Sequence, residues 1–310
     1  MPSLRSRPIP NLQDIDLRLL RVFVSVARNR GFSAAQTELN IGQSTISGYI
    51  TKLEDRLGVK LCLRGRSGFR LTDAGEKLYD AAIELFEDLD RFRLKVGEVR
   101  DDLTGNFYAG TVDSVVQVKD SVIPKLLGAF AEKAPNLHLD LRLASPQALV
   151  RELTAKRFSV IILPVFRPLA GLKVLELEAR NPQILFCARN HPLYGKSPAE
   201  EELRAAPFAD RAHMEGWAPY SSRALNVAAT TVDVECQLLL ILSGKFIGYL
   251  PARHVSSYVA SGDLWPLSHP EMDYDSRMCL AVRADDESSA TQIFTSLASG
   301  LTGNVLQSES

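Results

Sequence analysis

The chain has 310 residues, 45% hydrophobic and 24% charged, with 36 Lys+Arg against 37 Asp+Glu. Such a composition fills buried cores and excludes disordered or collagen-like chains, and the length suits two or three domains. The near-zero total is unevenly spread: residues 1 to 72 hold 12 Lys+Arg and 5 Asp+Glu, a net of +7, which leaves −8 on residues 73 to 310.

Leu17, Leu20, Val24 and Ala27 recur at three- and four-residue intervals, which predicts a first helix stopped by Asn29-Arg30-Gly31. Ser33 reads as the N-cap of a short helix over 34–39, followed by a turn at Asn40-Ile41-Gly42. A third helix over 43–57 places Ile46, Ile50, Leu53 and Leu57 on one buried stripe. Its outer face carries Gln43, Ser44, Thr45, Ser47, Tyr49 and Lys52, with Glu54 and Asp55 only at the far end. Such side chains bond phosphates and base edges, and no acid stands where phosphate would be repelled. An ordinary solvated face is equally polar, so the next segment matters. In residues 63–71, Arg64, Arg66 and Arg70 alternate with glycines between apolar anchors, the pattern of a hairpin with a basic tip. From Gln43 to Leu71 six basic residues face two acidic ones, enough for salt-dependent phosphate contact. Residues 1–72 therefore read as an all-α winged helix-turn-helix that binds double-stranded DNA.

Thr72-Asp73 offer an N-cap and, with Glu76, a D-x-x-E capping box for a long linker helix over 73–101. Leu78, Ala82, Leu85, Leu89, Phe92, Val96 and Val99 form a heptad seam flanked by charges, too narrow to face a globular core. Dimerisation through Leu78, Ala82, Leu85, Leu89, Phe92 and Val96 is expected, the alternative being packing against the chain's own C-terminal domain. A dimer would present two recognition helices to the two half-sites of an interrupted palindrome.

From Gly105 the pattern changes to β-α-β: strands over 107–112, 137–143 and 160–165, with helices over 116–132 and 146–155. A second stretch holds strands over 183–188 and 246–250 and a helix over 232–242, and the chain closes with a strand over 278–283 and a helix over 289–301. The fold class is α/β overall, with a mainly parallel sheet in a domain over 105–310. Subdomain I takes about 105–180 and 270–310, and subdomain II about 181–269, joined near 179–183 and 266–272. A small ligand is expected in the cleft between them.

At this point the residues resemble the LysR-type bacterial transcriptional regulators. The likeness runs through Leu17-Arg18-Leu19-Leu20-Arg21-Val22-Phe23, Gly31-Phe32-Ser33-Ala34-Ala35, Leu39 to Ser47, Leu57-Gly58-Val59-Lys60-Leu61 and Leu71-Thr72-Asp73-Ala74-Gly75. Weaker landmarks follow at Gly110, Ile123-Pro124-Lys125-Leu126, His191-Pro192-Leu193 and Gly248-Tyr249-Leu250-Pro251. The resemblance implies a C-terminal two-subdomain α/β effector-binding domain of the type 2 periplasmic-binding-protein-like kind. It assigns DNA contacts to Ser33, Gln43, Ser44, Thr45, Ser47, Tyr49, Lys52, Arg64 and Arg66. Gly48, where the family often has arginine or another polar side chain, removes one contact, and Ser159 replaces a common Asp. The implied partners are DNA, a second copy, a homotetramer of paired dimers, RNA polymerase and a small-molecule effector, with no cofactor, metal or membrane partner.

By the same likeness the effector meets the loop after the first strand, at the N-terminus of the next helix, here Asp113, Ser114 and Val115. Ser145, Pro164 and Ser222 are further candidates on strand-end loops, although turn capping alone also explains Asp and Ser there. Asp113 puts a negative charge where a helix dipole favours an anion, so an amine or N–H donor is expected on the effector beside any acidic group.

Three rivals have sequence consequences. For an enzyme there is no G-x-S-x-G, H-E-x-x-H or G-x-G-x-x-G, and the five histidines show no helical ligand spacing. A transport-type solute-binding protein is disfavoured by the +7 N-terminal segment and by an N-terminus without an apolar signal stretch, so a cytoplasmic location is expected. A peroxide-sensing switch would use Cys187 and Cys236, which lie 49 residues apart and read instead as buried structural thiols. No C-x-x-C pair occurs among the four cysteines, and no apolar run reaches the roughly 20 residues of a membrane helix.

Overall fold

The computed structural model describes residues 14–65, 68–99, 103–115, 121–166, 168–178, 181–211, 225–270 and 272–308. The chain divides into two compact units, one through Phe92 and one from Arg93.

In the first unit, α1 (Asp14–Arg28), α2 (Phe32–Leu39) and α3 (Gln43–Leu57) precede a hairpin of β1 (Cys62–Gly65) and β2 (Gly68–Leu71), and α4 (Asp73–Val99) follows. The apolar spacings read from the sequence become one core: Leu19, Phe23 and Val26 of α1 meet Phe32 and Ala35 of α2, Ile46, Ile50 and Leu53 of α3, and Leu61. Leu57 is excluded from it at 36% exposure, because α3 ends there on the left-handed Gly58, φ 70°. Buried Asp16 pairs with Arg56, Nε to Oδ1 at 2.5 Å and Nη2 to Oδ2 at 2.7 Å, fixing α1 against the end of α3. The hairpin is antiparallel with Cys62 opposite Leu71.

Two helix starts differ from expectation. Ser33 is not an N-cap: α2 begins at Phe32, two residues earlier than expected, and Gly31 holds the cap position without a side-chain bond. At α4 the cap is Thr72, whose Oγ1 accepts from Gly75 N at 3.0 Å, so Asp73 lies in the first turn rather than opening a D-x-x-E box.

The second unit contains β3 (Gly105–Thr111), α5 (Val122–Lys133), β4 (Leu137–Leu143), α6 (Pro146–Thr154), β5 (Val160–Val165), β6 (Leu172–Glu176) and β7 (Asn181–Ala188). It continues with α7 (Glu200–Ala205), β8 (Phe208–Arg211), β9 (Val227–Thr231), α8 (Val234–Leu242), β10 (Gly248–Pro251) and α9 (Ser256–Ala260). The last elements are β11 (Leu264–Pro266), β12 (Tyr274–Arg283), α10 (Ser289–Thr302) and β13 (Gln307–Ser308). The sheet is mixed rather than mainly parallel: β3 pairs parallel with β4 and β5, but β12 is antiparallel to β5, β6 and β7. The returning C-terminal strand reverses direction, and the short strands β6, β8, β9, β11 and β13 are too brief to show a period in the sequence.

Two sets of buried side chains result. Phe107, Phe130 and Phe294 stack at 4.6 to 5.5 Å in the core of β3, β5, β12, α5 and α10. Leu185, Phe208, Ile247 and Tyr249 form one cluster of the other half, and Phe186, Leu238, Ile241 and Leu250 a second. The halves are linked where Tyr274, Asp275 and Ser276 of β12 pair with Gln183, Pro182 and Asn181 of β7, a few residues beyond the crossing expected at 266–272. Gln183 Nε2 donates to Ser276 Oγ at 3.1 Å inside this link, and both side chains are buried.

Candidate functional site

The outer face of α3 is built by its own start. Gly42 caps the helix with extended backbone and no side-chain bond, no acidic residue stands in the first turn, and Gln43, Ser44 and Thr45 are exposed. Lys52 is exposed two turns on, and Gly48 between them faces open space. Ser47 is half-buried and has interactions of its own. Tyr49 is only half-exposed: its ring packs on the core and lies under the Arg18 guanidinium, 5.2 Å from the centroid. Arg18, marked by the periodicity of α1 only as a non-core position, thereby joins the face, a juxtaposition that local spacing does not reveal. Ser33 is exposed on the first turn of α2. Arg66 and the side chain of Arg64 lie outside the described residues, while Arg70 on β2 is exposed.

Glu54 explains how the wing is tied to α3. Its Oε1 accepts from Leu61 N at 2.9 Å and its Oε2 pairs with Lys60 Nζ at 2.5 Å. Burial works to raise its pKa, but the Lys60 contact and the backbone N–H groups of Leu61 and Cys62 outweigh it and hold the carboxyl below its ordinary range. Glu54, read as a surface charge ending the recognition face, is therefore a buried anchor of the hairpin.

The heptad seam of α4 divides. Ala82 is buried in the core of the first unit, and Leu78 and Leu85 pack against that core, so this part faces its own domain rather than standing free for a partner. Leu89 is half-buried, whereas Phe92 and Val96 are 63% and 41% exposed.

In the second unit α5 starts at Val122, capped by Ser121, whose Oγ accepts from Ile123 N at 3.2 Å. Residues 116–120 of the helix expected over 116–132 fall outside the described ones. Asp113 instead crosses to the other half of the unit, its Oδ2 accepting from Val234 N at the start of α8 at 2.6 Å. Ser114, left-handed at φ 61°, follows it, and Val115 is buried. Asp233 caps the same helix through Cys236 N at 2.6 Å, so two carboxylates share its positive end. Tyr274, on the linking segment of β12, stacks edge-on with Phe166 at 5.8 Å and with Tyr249 at 5.2 Å. Arg211 at the end of β8 acts on the Tyr274 hydroxyl and is itself only 8% exposed.

The other effector candidates fare differently. Ser145 is the N-cap of α6, its Oγ accepting from Ala148 N at 3.4 Å. Pro164 lies inside β5 opposite Met278, not on a strand-end loop. Ser222 lies outside the described residues. Arg211 and Tyr274 carry no local sequence signal, because only the pairing of β8 with β9 and of β12 with β7 sets them in place.

Cys187 is buried and burial pushes its thiol up to about 12. Cys236 is exposed, contrary to the expected buried thiol, and its pKa is raised chiefly by its hydrogen bond with Asp233. Neither thiol is the low-pKa form that peroxide chemistry requires. Among the described residues no helix is long and apolar enough to cross a membrane, and no cluster of three His, Cys, Asp or Glu side chains is placed for a metal.

Known proteins match this arrangement along its length. Residues 17–76 fit the family described as a bacterial regulatory helix-turn-helix protein of the lysR family, and residues 106–299 fit the LysR substrate binding domain. The HTH-type transcriptional activator BauR of Pseudomonas aeruginosa is 32% identical over 287 residues, covering 91% of this chain and 94% of that protein. Full-length CbnR complexed with its target DNA superposes with a TM-score of 0.63 at 19% identity, over 92% of this chain and 99% of that one. CbnR without DNA, a LysR family transcriptional regulator, gives 0.60 at 20% identity over the same shares.

Proposed function

The chain belongs to the LysR family of bacterial transcriptional regulators, and on that premise we propose how its parts divide the work. It is a DNA-binding regulator of transcription with a small-molecule effector domain, and not an enzyme. In our reading α3 enters the major groove, where Gln43, Ser44 and Thr45 read base edges. Ser33, Ser47, Lys52, Arg64 and Arg66 hold the backbone, and Tyr49 presents its hydroxyl beside Arg18. The observation that carries this is the exposed, acid-free first turn of α3.

The exposed Phe92 and Val96, with Leu89, support pairing of two copies through the C-terminal part of α4, which would set two recognition helices on an interrupted palindrome. The open edge of β4, with Leu141 and Leu143 uncovered, supports a second contact between copies that would pair dimers into a tetramer. We read the cleft around Asp113, Ser114 and Val115 as the effector site. Closing the β7–β12 link around a ligand would then change how the DNA-binding units are held for RNA polymerase.

The test is equilibrium binding of the full chain to operator and to scrambled duplex. Gln43→Ala and Thr45→Ala should each lose about 1 to 3 kcal/mol against the operator and relax base preference at one position. Equal losses on both duplexes would make these residues phosphate contacts and remove the readout assignment.

A further inference from the structure

Resting on the reading of the cleft as the effector site, the charges around it define the chemistry of its ligand. Arg211 is more than nine-tenths buried, and its Nε has no hydrogen-bond partner among the described residues. Arg283 Nε also makes no hydrogen bond, but it lies 3.5 Å from Asp285 Oδ1, and its other nitrogens go to Leu153 O, Phe158 O and Asp286. A buried guanidinium is retained where an anion meets it, and its planar fork suits a carboxylate. Asp210, the buried acid before it on β8, is itself partnered.

Arg211 is tied to the start of α8 through its partner strand. Its register partner on β9 is Thr231, three residues before Val234, whose N–H is bonded to Asp113 from the other half of the unit. Its guanidinium also acts on Tyr274, whose ring meets Phe166 just after β5. The positive end of α8, the usual seat for an anion, is already taken by Asp113 and Asp233. An acidic group there would meet two carboxylates, whereas an ammonium group would be attracted. The buried cation thus ends β8, and the carboxylates gather at the start of α8, the helix that follows its partner strand β9.

We propose that this cleft binds a small amino acid, its carboxylate paired with Arg211 and its ammonium group with Asp113. The ligand then touches both halves of the unit, since Asp113 follows β3 and Arg211 ends β8.

The experiment is calorimetric titration of the full chain with straight-chain ω-amino acids from glycine to aminohexanoate, each matched with the carboxylate lacking the amine and the amine lacking the carboxylate. At least one amino acid should bind, and both of its matched partners should bind at least tenfold more weakly. Arg211→Met and Asp113→Asn should each weaken it at least tenfold. Asp113→Asn keeps an acceptor for Val234 N, and the unfolding midpoint of each variant without ligand checks its fold. Arg211→Lys, which keeps the charge and loses the fork, is the second variant and should fall between wild type and Arg211→Met. Carboxylates binding as tightly as the amino acids would overturn the ammonium half, and binding indifferent to both Arg211 variants would overturn the anchor. No binding anywhere in the series would overturn the ligand class. If an amino acid binds as described but leaves the operator footprint unchanged, the assigned contacts stand and it is the reading of the cleft as the regulatory site that fails.

Discussion

Glu54 and Gly75 show how single residues hold the wing in place. Glu54 accepts from Leu61 N at the start of the hairpin, so Glu54→Ala strands a buried N–H and should cost about 1 to 3 kcal/mol, measured by denaturant unfolding. Its folded pKa is lowered, so its ionised form contributes stability above the unfolded carboxyl pKa of about 4.3, and that contribution is lost as pH falls through the folded value. The advantage of wild type over Glu54→Gln should therefore be full at neutral pH and shrink in acid below about pH 4. A gap independent of pH would mean that the charge is not what counts. Gly75 answers a different need: a Cβ there would stand 2.0 Å from Leu61 O, a backbone atom with nowhere to retreat. Gly75→Ala should destabilise the first unit by about 1 to 3 kcal/mol or shift α4 off the hairpin, read from the same unfolding curves.

At the scale of the element, the apolar stripe of α4 divides. Ala82, with Leu78 and Leu85 beside it, closes the core of the helix-turn-helix, whereas Phe92 and Val96 remain exposed. Ala82→Asp should unfold the DNA-binding unit by burying an unpaired charge. Phe92→Asp and Val96→Asp should leave the monomer folded and raise the dimer dissociation constant, as sedimentation equilibrium would report. A dimer indifferent to both exposed positions would move the interface off α4. The seam was legible because seven apolar positions keep strict heptad spacing. Its division was not, because spacing gives the face of a helix but not which neighbour covers each turn of it.

For the whole molecule the separated charge makes binding a matter of salt. With a net of +7 on residues 1–72 and −8 on the remainder, phosphate contact is expected to fall in the N-terminal segment. The logarithm of the binding constant should fall linearly with the logarithm of salt concentration. Arg66→Ala should reduce the slope by roughly one per half-site, about two for a dimer, with similar effect on operator and random duplex. An unaltered slope would remove the wing from the interface. The link between the halves of the effector domain offers a second handle: Gln183→Ala removes the bond to Ser276 and touches no residue assigned to DNA or ligand. It should weaken the ligand-dependent change in footprint while operator affinity without ligand stays as in wild type.

The amino-acid sequence by itself determined the helix-turn-helix, its polar face and the basic hairpin, because these follow from local periodicity, turn residues and charge within some 60 contiguous positions. It also determined that an α/β domain follows, since alternating strand and helix patterns survive without knowledge of their partners. Only the tertiary structure decided that the sheet is mixed, that Ser145 is a helix cap and that Pro164 sits within a strand. Only it could bring Asp113 to the start of α8, 121 residues away, and Arg211 to Tyr274 on a strand that returns from the far end of the chain. Contacts between residues so far apart are set by how strands are ordered in the sheet, and that order is chosen by the burial of the whole domain rather than by any local run of residues.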